Sequence, residues 1–244
     1  MLRLEHVQPS VSMGHTSPLK TNGLVMPGDF PTGHYNAVYD RTLARVTAAA
    51  TVHDQFAGAW NAVAYRFLAM ADEERTFPSL IANTAPEPSI RYQQERSLFG
   101  FFSNGFSVFE SAFYALFALG TLSSPSHFPI ATAKDQQRIS PQSTSAAFAT
   151  AFPADPLNTA LSALLTNAHF IEWREIRNVL THRAAPGRTF FVGIGDLGDA
   201  PLPDQWKIKE ISLDAQMAAN RRVELSQQLE RLLDGIRAFT FRNF

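Results

Sequence analysis

Residues 98–120 read L-F-G-F-F-S-N-G-F-S-V-F-E-S-A-F-Y-A-L-F-A-L-G, and the fold turns on what this run is. It is long and apolar enough to suggest a membrane span. Phe99, Phe102, Phe106, Phe109, Phe113 and Phe117 recur at spacings of three and four, which marks one helix face. A second stripe, Ser103, Ser107, Glu110 and Tyr114, runs beside it. A carboxylate in mid-span is expensive in lipid. The run therefore reads as the buried central helix of a helical bundle, with no membrane association. Glu110 then needs a partner, because an unpaired buried charge is strongly disfavoured. The candidates are Arg174 and Arg177.

Working outward, residues 1–34 are rich in Pro, Gly, Ser and Thr and have no period, so they read as an irregular arm. Residues 35–244 read as a single helical domain. One long helix is predicted from Tyr35 to Glu74, with Trp60, Val63, Phe67 and Met70 on its core face, and the Phe-rich helix from Ile90 to Leu119. Residues 121–140 read as loop. Ser140-Pro141 pairs an N-cap with a first-turn proline and starts a short helix to Phe152. Asp155-Pro156 repeats the signal and opens a helix to His182. A last helix, Ser212 to Phe241, offers Met217, Val223, Leu229, Leu232, Leu233 and Ile236 to the core. Between the last two helices, Thr189–Val192 and Trp206–Ile211 flank a Gly/Asp/Pro turn and suggest a β-hairpin. The class is all-α with a small hairpin insertion. Gly193-x-Gly195-x-x-Gly198 matches a dinucleotide fingerprint, but Asp199-Ala-Pro-Leu-Pro203 follows where the fingerprint needs a helix, so no nucleotide cofactor is expected.

The chemistry is concentrated in Arg177-Asn178-Val179-Leu180-Thr181-His182. Arginine holds phosphate oxygens in a planar fork. Histidine as a residue type titrates nearest neutral pH. At about 100° per residue, Asn178 and His182 share a face, while Arg174, Arg177 and Thr181 form an adjacent stripe. This is a kit for phosphate-ester chemistry without a metal. One copy carries one such histidine, whereas general acid–base cleavage uses two proton-transfer groups, which a two-fold dimer supplies. Other histidines show no paired metal spacing, and the chain has no cysteine, hence no thiolate and no cysteine-ligated zinc. Net charge is −1, which argues against a broad basic nucleic-acid surface. Residues 172–188 nevertheless carry Arg174, Arg177, Arg183 and Arg188 against Glu172 and Glu175, an excess of two positive charges. The absence of cysteine, with no visible signal peptide, fits the cytoplasm.

The stretch F-I-E-W-R-E-I-R-N-V-L-T-H-R, residues 170–183, resembles the R-N-x3-H form of the signature of HEPN domains, helical proteins found largely in prokaryotic defence and toxin–antitoxin systems. The surrounding layout over residues 90–244 is similar too: a Phe-rich helix with an internal acid, the motif helix, a short Gly-containing β segment and a closing helix. The resemblance implies a HEPN-like bundle acting as a homodimeric, metal-independent endoribonuclease on RNA, with an antitoxin protein as possible partner. Arg177 and His182 match the signature directly and Asn178 its polar second position, so the resemblance implies Arg177, His182 and Asn178 as the catalytic residues, with Arg177 offsetting the charge that builds on the phosphorane. Glu110, Tyr114, Arg174, Thr181 and Arg183 are the supporting candidates, with Glu110 either orienting the phosphate-binding arginine or belonging to a purely structural network. Ala184 stands where some members carry a modifiable tyrosine, so that regulation is not expected. A catalytically inactive module binding RNA, a nucleotide or a protein, and a helical interaction protein with an accidental motif, are the alternatives.

Overall fold

The Phe-rich run forms the central helix, and the other long helices pack around it. In a computed structural model the described residues are 24–43, 50–83, 87–182, 186–189, 205–208 and 210–244. The helices are α1 (Thr32–Leu43), α2 (Ala50–Ile81), α3 (Pro88–Ser123), α4 (Ala133–Gln137), α5 (Pro141–Ala151), α6 (Leu157–Leu165), α7 (Ala168–His182) and α8 (Ala215–Asn243). Strands β1 (Gly187–Thr189), β2 (Gln205–Ile208) and β3 (Ile211–Ser212) lie between α7 and α8. The fold is mainly α with a small sheet.

Helix α3 pairs along its length with α2 and also packs against α5, α7 and α8. It is long and apolar enough to cross a membrane by composition, but 72% of its most apolar window is buried inside the protein, so its apolar surface is used by the core. Trp60, Val63, Phe67 and Met70 of α2 are fully buried in the core. One aromatic-rich core runs from Phe30 to Phe239. At its α5 end, Phe128 meets Phe117 and Phe148 edge-on, and Phe239 of α8 closes on Phe148 and Phe152.

Several boundaries differ from the sequence reading for local reasons. The helix expected from Asp155 to His182 is two helices, α6 and α7. At the break, Thr166 turns its hydroxyl back onto Ser162 O (2.9 Å), and Asn167 Oδ1 accepts from the backbone N–H groups of His169 (2.9 Å) and Phe170 (3.2 Å). That amide caps a new helix start. The helix expected from Tyr35 to Glu74 appears as α1 and α2, with residues 44–49 outside the described set, and α2 continues across Pro78 to Ile81. Helix α4 lies within the expected loop, held by a capping box between Thr132 and Asp135. Ser140 caps α5 in the same way with Ser143.

Core assignment departs at two positions. Phe99 is 43% exposed, and Val223 is 54% exposed. The buried face of α8 is Leu225, Leu229, Leu232, Ile236 and Phe239; Val223 lies two positions before Leu225, about 200° round the axis. The expected hairpin is a three-stranded antiparallel sheet in the order β1-β2-β3. Arg188 faces Trp206 and Ile208 faces Ile211 in register, so the chain doubles back inside what reads as a single strand. Trp206 and Ile208 alternate inward, and Trp206 Nε1 donates to Gln94 Oε1 (3.2 Å), docking the sheet on α3. Residues 190–204, including the glycine-rich stretch, lie outside the described residues.

The expected arm, 1–34, is described from residue 24, and its last part is docked. Phe30 is buried, and Asp29 forms a bidentate pair with Arg222 of α8 (2.8 and 2.9 Å), while Arg222 Nη1 also donates to Glu74 of α2 (2.9 Å). Ser226 Oγ donates to Asp29 O.

Gly105 sets the approach of α7 to α3. A Cβ there would lie 2.4 Å from the Trp173 ring, and Trp173 is fully buried against Phe101 and Phe102. Gly105→Ala is expected to destabilise the fold by about 1–3 kcal/mol through overpacking, despite alanine's better helix propensity. Chemical denaturation checks this; a neutral or stabilising result would contradict the contact.

Candidate functional site

Helix α7 presents its signature residues from a fixed frame. Phe170, Trp173 and Ile176 are buried, and Phe170 packs on Phe106 and Phe109 of α3. Arg177 follows Trp173 by one turn and so faces α3 as well. Its Nη2 donates to Glu110 Oε1, and its guanidinium lies over the Phe106 ring at 4.6 Å. Of the two candidate partners of Glu110, Arg177 is the one that meets it. The pair is partly buried, with side-chain exposures of 18% for Arg177 and 38% for Glu110. Ser107 Oγ donates to Glu110 Oε2 (3.2 Å), so both carboxylate oxygens are used. Arg177 Nε is buried without a hydrogen-bond partner.

The other candidates divide into two groups. Thr181 is committed to its own helix, its hydroxyl donating to Arg177 O (2.8 Å). That removes its proton as a substrate donor in this arrangement. Arg174, Asn178 and His182 make no side-chain hydrogen bond or ion pair with a described residue, and they recur every four residues along one side of α7. Arg174 and Asn178 are half-buried and His182 is exposed. Arg174 thus belongs with Asn178 and His182, not with the engaged Arg177. His182 makes no direct bond to the Glu110–Arg177 pair. Arg183 lies outside the described residues.

Tyr114 sits one turn beyond Glu110 and lines the same cavity, of about 520 Å³, between α2, α3 and the start of α5. Burial pushes its phenol above the ordinary tyrosine value. It makes no described hydrogen bond to Arg177, so it shapes the cavity instead of extending the ion pair. The same cavity contains Arg66 of α2, a residue that the sequence reading missed. Arg66 Nη1 donates to Ser107 O (3.2 Å) and Ser111 Oγ (2.8 Å), and no carboxylate among the described residues pairs with it. No local signal in the sequence distinguishes it from any other helical arginine.

His169, read as structural or exposed, is part of a polar cluster joining α7 to α8. Arg221 donates to both oxygens of Glu172 (2.6 and 2.7 Å), to Glu224 (2.6 Å) and to His169 Nδ1 (2.6 Å). His169 Nδ1 also stands 3.2 Å from Glu224 Oε2. Among the described residues no three His, Asp or Glu side chains gather as a metal-binding group.

Comparisons with family models, with curated proteins and with solved structures returned no match for this chain.

The ion pair and the uncommitted stripe respond differently to truncation. Glu110→Ala strands a partly buried guanidinium and is expected to cost about 1–3 kcal/mol, whereas Arg174→Ala stays within about 0.5 kcal/mol. The double variant Glu110→Leu/Arg177→Met should recover most of the loss. Urea midpoints at constant slope measure all three; equal effects of the two single changes would contradict the assignment.

Proposed function

We propose that the protein is a HEPN-like, metal-independent endoribonuclease, active as a homodimer whose copies meet through α7. The observation that carries this reading is the face of α7 on which Arg174, Asn178 and His182 stand at four-residue spacing with no described side-chain partner. A helix surface with a cation, an amide and an imidazole at four-residue spacing suits a phosphodiester. Two such surfaces, related by a two-fold axis, supply the two imidazoles that acid–base cleavage uses.

In the reaction, the ribose 2′-oxygen attacks the adjacent phosphorus as His182 of one copy takes its proton. The P–O5′ bond breaks, and the protonated His182 of the other copy gives a proton to the departing oxygen. The products are a 2′,3′-cyclic phosphate and a 5′-hydroxyl. Arg174, with no carboxylate to neutralise it among the described residues, balances charge building on the phosphorane, and Arg177 holds the helix face in place through Glu110. Asn178 orients the imidazole or a phosphate oxygen. Because the nucleophile is the 2′-hydroxyl, DNA is not a substrate. A toxin- or defence-type role in the cytoplasm, with an antitoxin protein as partner, accords with this activity and with a chain free of cysteine.

A second reading is a module that binds RNA, a nucleotide or a protein without cutting. The engagement of Arg177 by Glu110 and its low exposure favour it, since a neutralised arginine stabilises a transition state less. An interaction protein with an accidental motif is the remaining alternative.

Labelled RNA incubated with the protein in EDTA separates these readings. Cleavage should persist in chelator, stop at a 2′-deoxy position and fall by about 10²–10⁴-fold in His182→Ala. RNA binding without cleavage in the parent protein identifies the module. Cleavage abolished by EDTA, or unchanged in His182→Ala, would sink the nuclease scheme.

A further inference from the structure

A second cavity, of about 430 Å³, lies on the other side of Arg66. It is lined by Asn61 and Tyr65 of α2 and Asn104 of α3, and it shares Gly58, Ala62 and Arg66 with the cavity that contains Glu110 and Tyr114. The two form one groove along the α2–α3 seam, with Arg66 at its midpoint. We infer that this groove binds single-stranded RNA, seating a phosphate on Arg66 and stacking a base on Tyr65.

The groups match the ligand one by one. Both bonds that Arg66 makes come from Nη1, to Ser107 O and Ser111 Oγ, which fixes the guanidinium in orientation without neutralising it. A fixed, uncompensated fork is a phosphate receptor. Tyr65 is 66% exposed, a large ring left to solvent beside that cation, as base stacking requires. Asn61 Oδ1 accepts from Tyr35 Oη (3.2 Å), leaving its amide N–H groups without a described partner, and Asn104 makes no described side-chain hydrogen bond. Two uncommitted amides next to a stacking ring suit the Watson–Crick edge of a splayed base.

Beyond Arg66 the character of the groove changes. Asp54 and Glu110 bring carboxylates, with Gln55 and Tyr114 beside them. Carboxylates repel a phosphate but accept from the amino edge of a base, so this half takes the neighbouring nucleoside and the phosphate stays at Arg66. Small residues make the floor: a Cβ on Gly58 would meet nothing within 4 Å, so the helix is open to the groove there. The far half takes in Glu110, the partner of Arg177, and runs on to Tyr114 and the start of α5. The groove therefore leads from an entry at Tyr65 past the carboxylate that the α7 signature engages. A double helix has no splayed base to offer and is excluded on the same grounds.

This inference rests on the reading of the protein as RNA-acting, and its test is kept apart from cleavage. A fluorescein-labelled ten-residue oligocytidylate, whose bases carry an amino group, is titrated at neutral pH, in EDTA, against the full chain carrying His182→Ala, and anisotropy is read at several salt concentrations. Added to that background, Tyr65→Ala should weaken binding about 10-fold through lost stacking. Arg66→Gln should weaken it by a similar factor and reduce the salt slope by about 0.7, one phosphate contact. Arg66 also holds Ser111, so Gly58→Leu serves as an independent block: it fills open space, keeps the melting temperature and should weaken binding at least 10-fold. An RNA duplex should bind more weakly than the single strand. The inference is overturned if all three variants bind within two-fold of the background protein, or if that protein binds no single-stranded RNA. Groove-dependent binding without cleavage in the parent chain would sustain the groove and defeat the nuclease. Cleavage that ignores all three substitutions would do the reverse.

Discussion

The close approach of α7 to α3 governs everything else in this molecule. Trp173 fits against Gly105, where any side chain would collide with its ring. Once that contact is made, the next turn of α7 has little freedom. Arg177 must lie over Phe106 and within reach of Glu110, and it does both. The packing thus comes first and the electrostatics follow. A guanidinium with 18% exposure is tolerable only because a carboxylate and an aromatic face are already waiting on α3. The same geometry turns Arg174, Asn178 and His182 away from the core.

Near-neutral net charge conceals how unevenly that charge is used. Arg221 and Arg222 each meet two carboxylates, and Arg237 and Arg242 meet one apiece. Arg237–Asp234 and Arg221–Glu224 lie within α8, and the other pairs tie α8 to the rest of the chain; all are unavailable to a ligand. Arg66 and Arg174 are arginines with no carboxylate partner among the described residues. They lie on different elements, α2 and α7, yet both border regions with uncommitted polar groups. A chain can therefore have no basic face in its composition and still hold local positive sites.

Much of this architecture could be read directly from the residues. The three-and-four spacing of phenylalanines located α3, and Glu110 within it correctly demanded a basic partner from the signature helix. The Ser140-Pro141 signal placed α5 to within a residue. What failed was set by side chains competing with the backbone or by neighbours far away in sequence. No glycine or proline announces the break between α6 and α7; it depends on the Asn167 amide capping the new helix. Val223 looked apolar enough for the core, but burial on α8 follows the line through Leu225 and Leu229. The choice between Arg174 and Arg177 was open, because both lie within reach of α3 on a helical wheel and only the Trp173 contact fixes the rotation. Arg66 was invisible for a related reason: whether an arginine is neutralised depends on which carboxylates the fold brings near it.

The tie between Asp29 and Arg222 spans 193 positions and has a consequence for the order of assembly. Asp29 and Glu74 are two carboxylates that converge on one cation, and that cation stands on α8. Without α8 in place the two acids would face each other with nothing between them, and drawing them together is unfavourable. The turn at Asp29 and α2 are therefore clasped only when α8 docks. Arg222 acts as the closing pin of the bundle.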